Sequence, residues 1–309
     1  MPDLDYNGDL GEGCGDDAAI VPLLSSANIA CGVHAGDAAT MRDTVALCLR
    51  HGVAIGAHPS LDDREGFGRR ELPVTPEAVH ALVRWQLDLL ATVAAAQGAA
   101  LRHVKPHGAL YNIAARDRAV ADAVAAAIAS FDPSLRLVGL SGSSLPAAGR
   151  AAGLRVVHEA FAERRYEADG TLVPRTHPDA VIHDLDEALA QVRTLLREGV
   201  VVARTGERVP LRADTLCLHG DRPDAAAFAR ALRAVLDAEG VRIRAPRDAE
   251  RPGGRCSASR SSSPVSRSAG IRWRWSWPRR SPADWRRGAA CRNCWPCSAR
   301  VSSRSARSD

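Results

Sequence analysis

Lysine occurs once in this 309-residue chain, at Lys105, against 40 arginines. Such a bias is what a GC-rich coding sequence produces, so a surviving lysine suggests a place where arginine cannot serve. Lysine is a compact charge with a tunable pKa, whereas arginine is a permanently charged fork. Lys105 lies in His103-Val104-Lys105-Pro106-His107-Gly108, followed by Tyr111 and Asn112. Residues two apart on a strand share a face, which would turn Lys105 and His107 into one cavity, with Pro106 as a complication. Similar polar clusters recur. They are Asp9-Leu10-Gly11-Glu12, the run from Ser26 through Asn28 to His34 and Asp37, His58-Pro59, Ser141-Gly142-Ser143, Glu159 with Glu163, Arg164 and Arg165, and His219-Gly220-Asp221. Acids, imidazoles and one ammonium are the groups of general acid–base chemistry, or of a metal site.

Each cluster follows a short apolar run. Strands are predicted near 3–9, 26–31, 52–57, 101–105, 135–140, 154–159 and 214–218. Helices are predicted over 37–50, 76–97, 115–130, 144–152, 184–198 and 223–239. In the second helix Val79, Leu82, Val83, Leu90 and Val93 keep a period near 3.6. Thr75-Pro76-Glu77 reads as a cap followed by proline in the first turn. Strand–helix alternation argues an α/β fold with a mostly parallel sheet, as a barrel or an open doubly wound sheet. Either form gathers polar groups from the carboxyl ends of its strands on one face. One shared site is therefore expected there.

Composition divides the chain. Residues 1–250 carry a balance of −7, and residues 251–309 a balance of +12, with 14 arginines, 14 serines, five of the six tryptophans and no leucine. The second segment has too few aliphatic residues for a packed core. It reads as an out-of-frame or disordered tail, and the domain is expected over 1–248 with the tail over 249–309. Cys291, Cys294 and Cys297 have metal-like spacing, but no fourth ligand or histidine lies near them. The overall charge of +5 averages these unlike parts, so no nucleic-acid partner is inferred. Neither a secretory leader nor a membrane-spanning run is visible. The cysteines at 14, 31, 48 and 217 show no pairing pattern and fit a reduced, cytoplasmic setting. A phosphate loop of the G-x-x-x-x-G-K-[ST] type is excluded by the position of the only lysine.

The clusters resemble the LamB/YcsF family, the A component of the bacterial ATP-dependent 5-oxoprolinase. The segments that carry the resemblance are NGDLGEGCG (7–15), SANIACGVHAGD (26–37), IGAHPSLDDREGFGRR (55–70), HVKPHGALYN (103–112), EAFAERRYEADGTLVPR (159–175) and CLHGD (217–221). Two positions depart from the family pattern: Gly8 stands where cysteine is usual, and Glu163 where aspartate is usual. The resemblance implies a distorted seven-stranded (β/α) barrel of the glycoside hydrolase/deacetylase type. It implies ATP-dependent opening of 5-oxo-L-proline to L-glutamate, with ATP and Mg2+ and with partner subunits B and C.

For that reaction Asp9 or Glu12 is expected as base, Lys105 as the cation for developing oxygen charge, and His107 as acid or hydrogen-bond donor. Asn28, His34, His58, Arg69, Arg70, Asn112, Glu159, Arg175, His219 and Asp221 are the candidates for substrate contacts. Arg69, Arg70 and Arg175 are those for the substrate carboxylate. Two other readings stay open. One is a metal-dependent, deacetylase-like amidohydrolase with Asp9, His34, His58 and His219 as ligands. The other is a subunit that binds substrate without catalysis.

Overall fold

A computed structural model describes residues 3–219 and 224–246. The tail expected from residue 249, with its three closely spaced cysteines, and Asp221 lie outside these residues. Seven parallel strands form a closed ring: β1 (Asp3–Leu10), β2 (Ser26–Ala30), β3 (Ala54–His58), β4 (His103–Val104), β5 (Arg136–Leu140), β6 (Arg155–Phe161) and β9 (Thr215–His219), which pairs back onto β1. The short strand β10 (Arg242–Ile243) adds to the start of β1. An antiparallel hairpin of β7 (Val200–Val202) and β8 (Arg208–Pro210) forms a separate small sheet. The helices are α1 (Asp17–Ile20), α2 (Ala38–His51), α3 (Pro76–Ala95), α4 (Gly108–Arg116), α5 (Arg118–Phe131), α6 (Ser144–Ala151), α7 (Leu185–Glu198) and α8 (Ala225–Ala238). The fold is the seven-stranded α/β barrel that the family resemblance implied. Among the described residues no helix is long and apolar enough to cross a membrane.

The short elements α1 and β10 were not predicted, and two larger differences from the sequence expectation have a physical reason. The helix expected over 115–130 is two helices, because Asp117 leaves the helical region (φ −98°, ψ 113°) and its side chain accepts from the amides of Ala119 and Val120. It therefore closes α4 and caps α5. The β7–β8 hairpin was not foreseen; its strands have only three residues each, too short for an alternation to show.

Strand alternation explains where the core lies. Along β1, Leu4, Tyr6 and Leu10 are buried with the apolar core, while Asp5, Asn7 and Asp9 are buried in polar company. The first set turns outward toward the helices and the second into the barrel. A barrel interior is commonly filled by Val, Ile and Leu; much of this one is hydrogen-bonded instead. At its amino end Asp5 accepts from the hydroxyls of Ser25 (2.6 Å), Ser26 (2.8 Å) and Thr215 (2.6 Å). Gly56 makes room for the His103 ring, since a Cβ at 56 would lie 2.1 Å from His103 Nε2. Gly8 belongs to the outward set: a Cβ there would meet Leu24 Cδ1 at 2.7 Å. The departure from the family pattern at this position therefore does not touch the interior.

Candidate active site

Above the Asp5 layer a continuous network climbs toward the carboxyl ends of the strands. Asn7 donates to Glu159 Oε1 (3.1 Å) and Thr215 Oγ1 (2.7 Å). Asn28 donates to Asn7 Oδ1 (2.7 Å) and Asp9 Oδ1 (2.9 Å), and its own carbonyl faces His103 Nε2 at 2.8 Å. Lys105 Nζ lies 2.9 Å from each of Asp9 Oδ1, Glu159 Oε1 and Cys217 Sγ. Lys105 is buried, which opposes its charge, but the Asp9 and Glu159 carboxylates, with the hydrogen bond to Cys217, outweigh that and raise its pKa well above the ordinary value. It is a fixed cation, and its three N–H bonds are directed at these neighbours. Burial likewise raises the Cys217 thiol, against the pull of Lys105, so that residue stays a thiol.

The next layer holds imidazoles. His58 Nδ1 lies 2.7 Å from the Lys105 carbonyl, and His107 Nε2 lies 2.8 Å from the Phe67 carbonyl. A carbonyl only accepts, so these two nitrogens carry the protons. The opposite nitrogens, His58 Nε2 and His107 Nδ1, face each other at 2.9 Å. Asp9 Oδ2 lies 3.3 Å from His58 Nε2. Glu12 Oε1 lies 3.3 Å from His34 Nε2 and 3.5 Å from His107 Nδ1. His34 stacks on His107 with ring centroids 3.9 Å apart. Burial pushes the pKa of His34 down to about 3 and that of His107 well below the ordinary value, with His58 nearby adding to both effects. Both rings are therefore neutral near pH 7. The His107 lone pair at Nδ1 then faces His58 and Glu12, and its one proton is held by the Phe67 carbonyl.

The loop after β3 aims these groups. Phe67 sits at φ 55°, an uncommon conformation for a residue with a side chain, and its carbonyl receives the His107 proton. Gly68 follows at φ 65°, and a Cβ there would lie 2.9 Å from both His107 Cδ2 and His34 Cβ. Gly68→Ala is expected to cost about 1–3 kcal/mol, from the left-handed backbone and the overpacking together. Gly98→Ala is the control: it shares the positive φ (72°) but has nothing within 4 Å. Urea denaturation checks this, and equal losses at both positions would show that the contact with the histidines does not matter.

A cavity of about 30 Å3 opens at this level, lined in part by Asp9, His58, Lys105, His107, Arg69 and Arg175, with Asn112 and Arg164 also on its wall. It admits two or three waters, at roughly 10–15 Å3 each. Arg164 is buried and donates to the carbonyls of Val173 (2.7 Å) and Ala180 (3.2 Å), which fixes the loop that carries the exposed Arg175. Arg69 lies over the Phe67 ring. A larger cleft of about 570 Å3 lies at the opposite end, beside Arg102, Arg136 and Arg244. In α/β barrels the chemistry sits at the carboxyl ends of the strands, and the layered acids and imidazoles are there.

Asp9, Glu12, Asn28, His34, His58, Lys105, His107, Asn112, Glu159, Arg69 and Arg175 all lie in this network or on the cavity wall. Arg70 does not line the cavity; its guanidinium is turned to Asp63, whose carboxylate also accepts from the Gly66 and Arg70 amides. His219 ends β9 in register with Asp9, which puts its backbone at the same level. Sequence reading passed over Asn7, His103, Cys217 and the role of the Phe67 carbonyl. The first three could have been found from the period-two patterns Asp5-Asn7-Asp9, His103-Lys105 and Thr215-Cys217-His219. The Phe67 carbonyl left no mark in the sequence.

A family model described as the LamB/YcsF family matches residues 4–251. A Bordetella pertussis protein named as the A component of 5-oxoprolinase is 53% identical over 249 residues, which is 79% of this chain and 99% of that protein. A Chloroflexus aggregans protein of the same name is 55% identical over 252 residues, 80% of this chain and 100% of that one. The crystal structure of a lactam utilization protein from Thermus thermophilus superimposes with a TM-score of 0.74 at 47% identity, covering 78% of this chain and 99% of that one. The family match spans every strand of the barrel and every residue of the imidazole layer, and on that ground the chain belongs to the LamB/YcsF family.

Proposed function

We propose that this chain is the lactam-opening component of an ATP-dependent 5-oxoprolinase and works with subunits B and C. The observation that carries this reading is the cavity at the carboxyl end of the barrel, where a carboxylate, a buried cation and imidazoles meet beside Arg69 and Arg175. The names of the relatives support the substrate class.

Opening an unstrained five-membered lactam in water is near balance or uphill, so coupling to ATP is chemically sensible. Phosphorylation of the amide oxygen makes the ring carbon electrophilic. We place that step, with ATP and Mg2+, on the partner subunits, because this chain has no phosphate loop and its only lysine is committed inside the barrel. Water then adds to the ring carbon. Glu12, beside the imidazole layer, takes the water proton and returns it to the ring nitrogen as the C–N bond breaks. The product is γ-glutamyl phosphate, and a second water converts it to glutamate and phosphate. Lys105 supports this by its field and by holding Asp9 and Glu159 in place. The 30 Å3 cavity takes the attacking water, and the lactam lies in the mouth with its ring carbonyl inward and its carboxylate toward Arg69 and Arg175.

The test is the three-subunit assay of glutamate formation from 5-oxoproline and ATP. Arg69→Ala and Arg175→Ala are expected to raise KM by about 10-fold or more, as lost charge-assisted hydrogen bonds of about 1.5–3 kcal/mol imply, with a smaller change in kcat. Arg70→Ala is expected to leave KM within about two-fold. A large KM effect at Arg70 and none at Arg69 or Arg175 would overturn the proposed orientation.

A further inference from the structure

His58 Nε2 and His107 Nδ1 are held 2.9 Å apart, while the other nitrogen of each ring is turned to a main-chain carbonyl. With the ring protons on the carbonyl-facing nitrogens, the two facing nitrogens present lone pairs to each other. Two lone pairs at this distance repel unless positive charge lies between or beside them. Asp9 Oδ2, 3.3 Å from His58 Nε2, adds a third donor atom on the same side. All three donor atoms lie within 4.8 Å of one another, on residues that are buried. Ligands 2.0–2.1 Å from a tetrahedral zinc lie roughly 3.3 Å apart, so the Asp9–His58 edge already has that length and the His58–His107 edge is a few tenths of an ångström short. The orienting groups are also in place. The Lys105 and Phe67 carbonyls fix both ring tautomers, and Lys105 with Asn28 holds Asp9 Oδ1, leaving Oδ2 toward the rings. This is the outer-shell pattern that ligating histidines and carboxylates carry.

We propose that Asp9, His58 and His107 form a binding site for one divalent transition-metal ion of the zinc class. Two imidazole nitrogens and one carboxylate oxygen suit zinc or cobalt better than magnesium or calcium, which prefer all-oxygen shells. Three protein ligands leave a fourth position toward the cavity. There the ion would lower the pKa of a bound water, with Glu12, 3.5 Å from His107 Nδ1, beside it to take the proton. The role of the ion in turnover rests on the function proposed above, but its binding does not, and the two fail separately.

The experiment is a titration of the full chain, stripped with chelator, with Zn2+ followed by calorimetry and with Co2+ followed by visible absorption. Cys291, Cys294 and Cys297 are a second possible zinc ligand set, so the titration is run on the chain carrying Cys291→Ser, Cys294→Ser and Cys297→Ser. One equivalent of Zn2+ is expected to bind with a Kd below about 1 μM. The Co2+ spectrum is expected to show d–d bands without a thiolate charge-transfer band. His58→Asn and Asp9→Asn are expected to weaken binding by 100-fold or more, while Glu12→Gln keeps it within about three-fold. Absence of stoichiometric binding to the triple-serine chain would overturn the proposal whatever the other variants do. Binding unchanged in both His58→Asn and Asp9→Asn would also overturn it. Stoichiometric binding by a complex that proves inactive toward 5-oxoproline would leave the metal site standing and remove the substrate assignment alone.

Discussion

Lys105→Ala is expected to destabilise the barrel by about 3–5 kcal/mol, the usual cost of removing one partner from a buried ion pair. The ammonium lies 2.9 Å from both Asp9 and Glu159, and all three residues are buried. Without it two carboxylates face each other across the barrel, bridged by Asn7 and Asn28. The size of the loss is therefore set by uncompensated charge more than by lost packing. Pairing Lys105→Met with Glu159→Gln removes one charge of each sign, and should recover a good part of the stability. The double variant should remain without 5-oxoprolinase turnover, because Asp9 has still lost its anchor. Denaturant midpoints for the single and double variants give the coupling directly. A Lys105→Ala chain that unfolds at the wild-type midpoint would show that the ammonium is not bonded as described.

Glu12→Gln is expected to lower kcat for glutamate formation by roughly 10²–10⁴, the range for loss of a general base, while KM changes by less than about three-fold. Glu12 lies at the imidazole layer, beside His34 and His107, and is not a member of the Asp9–Lys105–Glu159 ion pairs that support the fold. The isosteric amide keeps the volume and can still meet His107 Nδ1, so the folded state should survive with a wild-type circular dichroism spectrum. A parallel rise in KM would mean that Glu12 binds substrate instead of moving a proton.

The α/β class was legible from the sequence because short apolar runs with polar ends alternate with helices; that pattern left barrel and open sheet both possible, and only the family resemblance implied the barrel. In β1 the alternation of Leu4, Tyr6 and Leu10 with Asp5, Asn7 and Asp9 marks both faces. Single positions of the site were legible for the same reason: Lys105 and His107 both line the cavity, as a shared strand face suggested. The strand itself ends at Val104, and His107 reaches the cavity as the cap residue of α4. What the sequence hid was direction. Nothing in the run around His107 says that its Nε2 meets a carbonyl and that its lone pair faces His58. That depends on a left-handed backbone at Phe67, forty residues away. Arg70 shows the reverse case. It stands beside Arg69 in the sequence, but the turn at Gly66–Gly68 sends it to Asp63 while Arg69 faces the cavity.

The account rests on the barrel mouth being where the activated ring is opened. Its most direct test is the ratio of glutamate to ADP produced by the three-subunit complex built with Glu12→Gln. Phosphorylation on the partner subunits with failed ring opening here should leave ADP formation running while glutamate nearly disappears. Glutamate and ADP formed in equal amounts at the wild-type rate would contradict it.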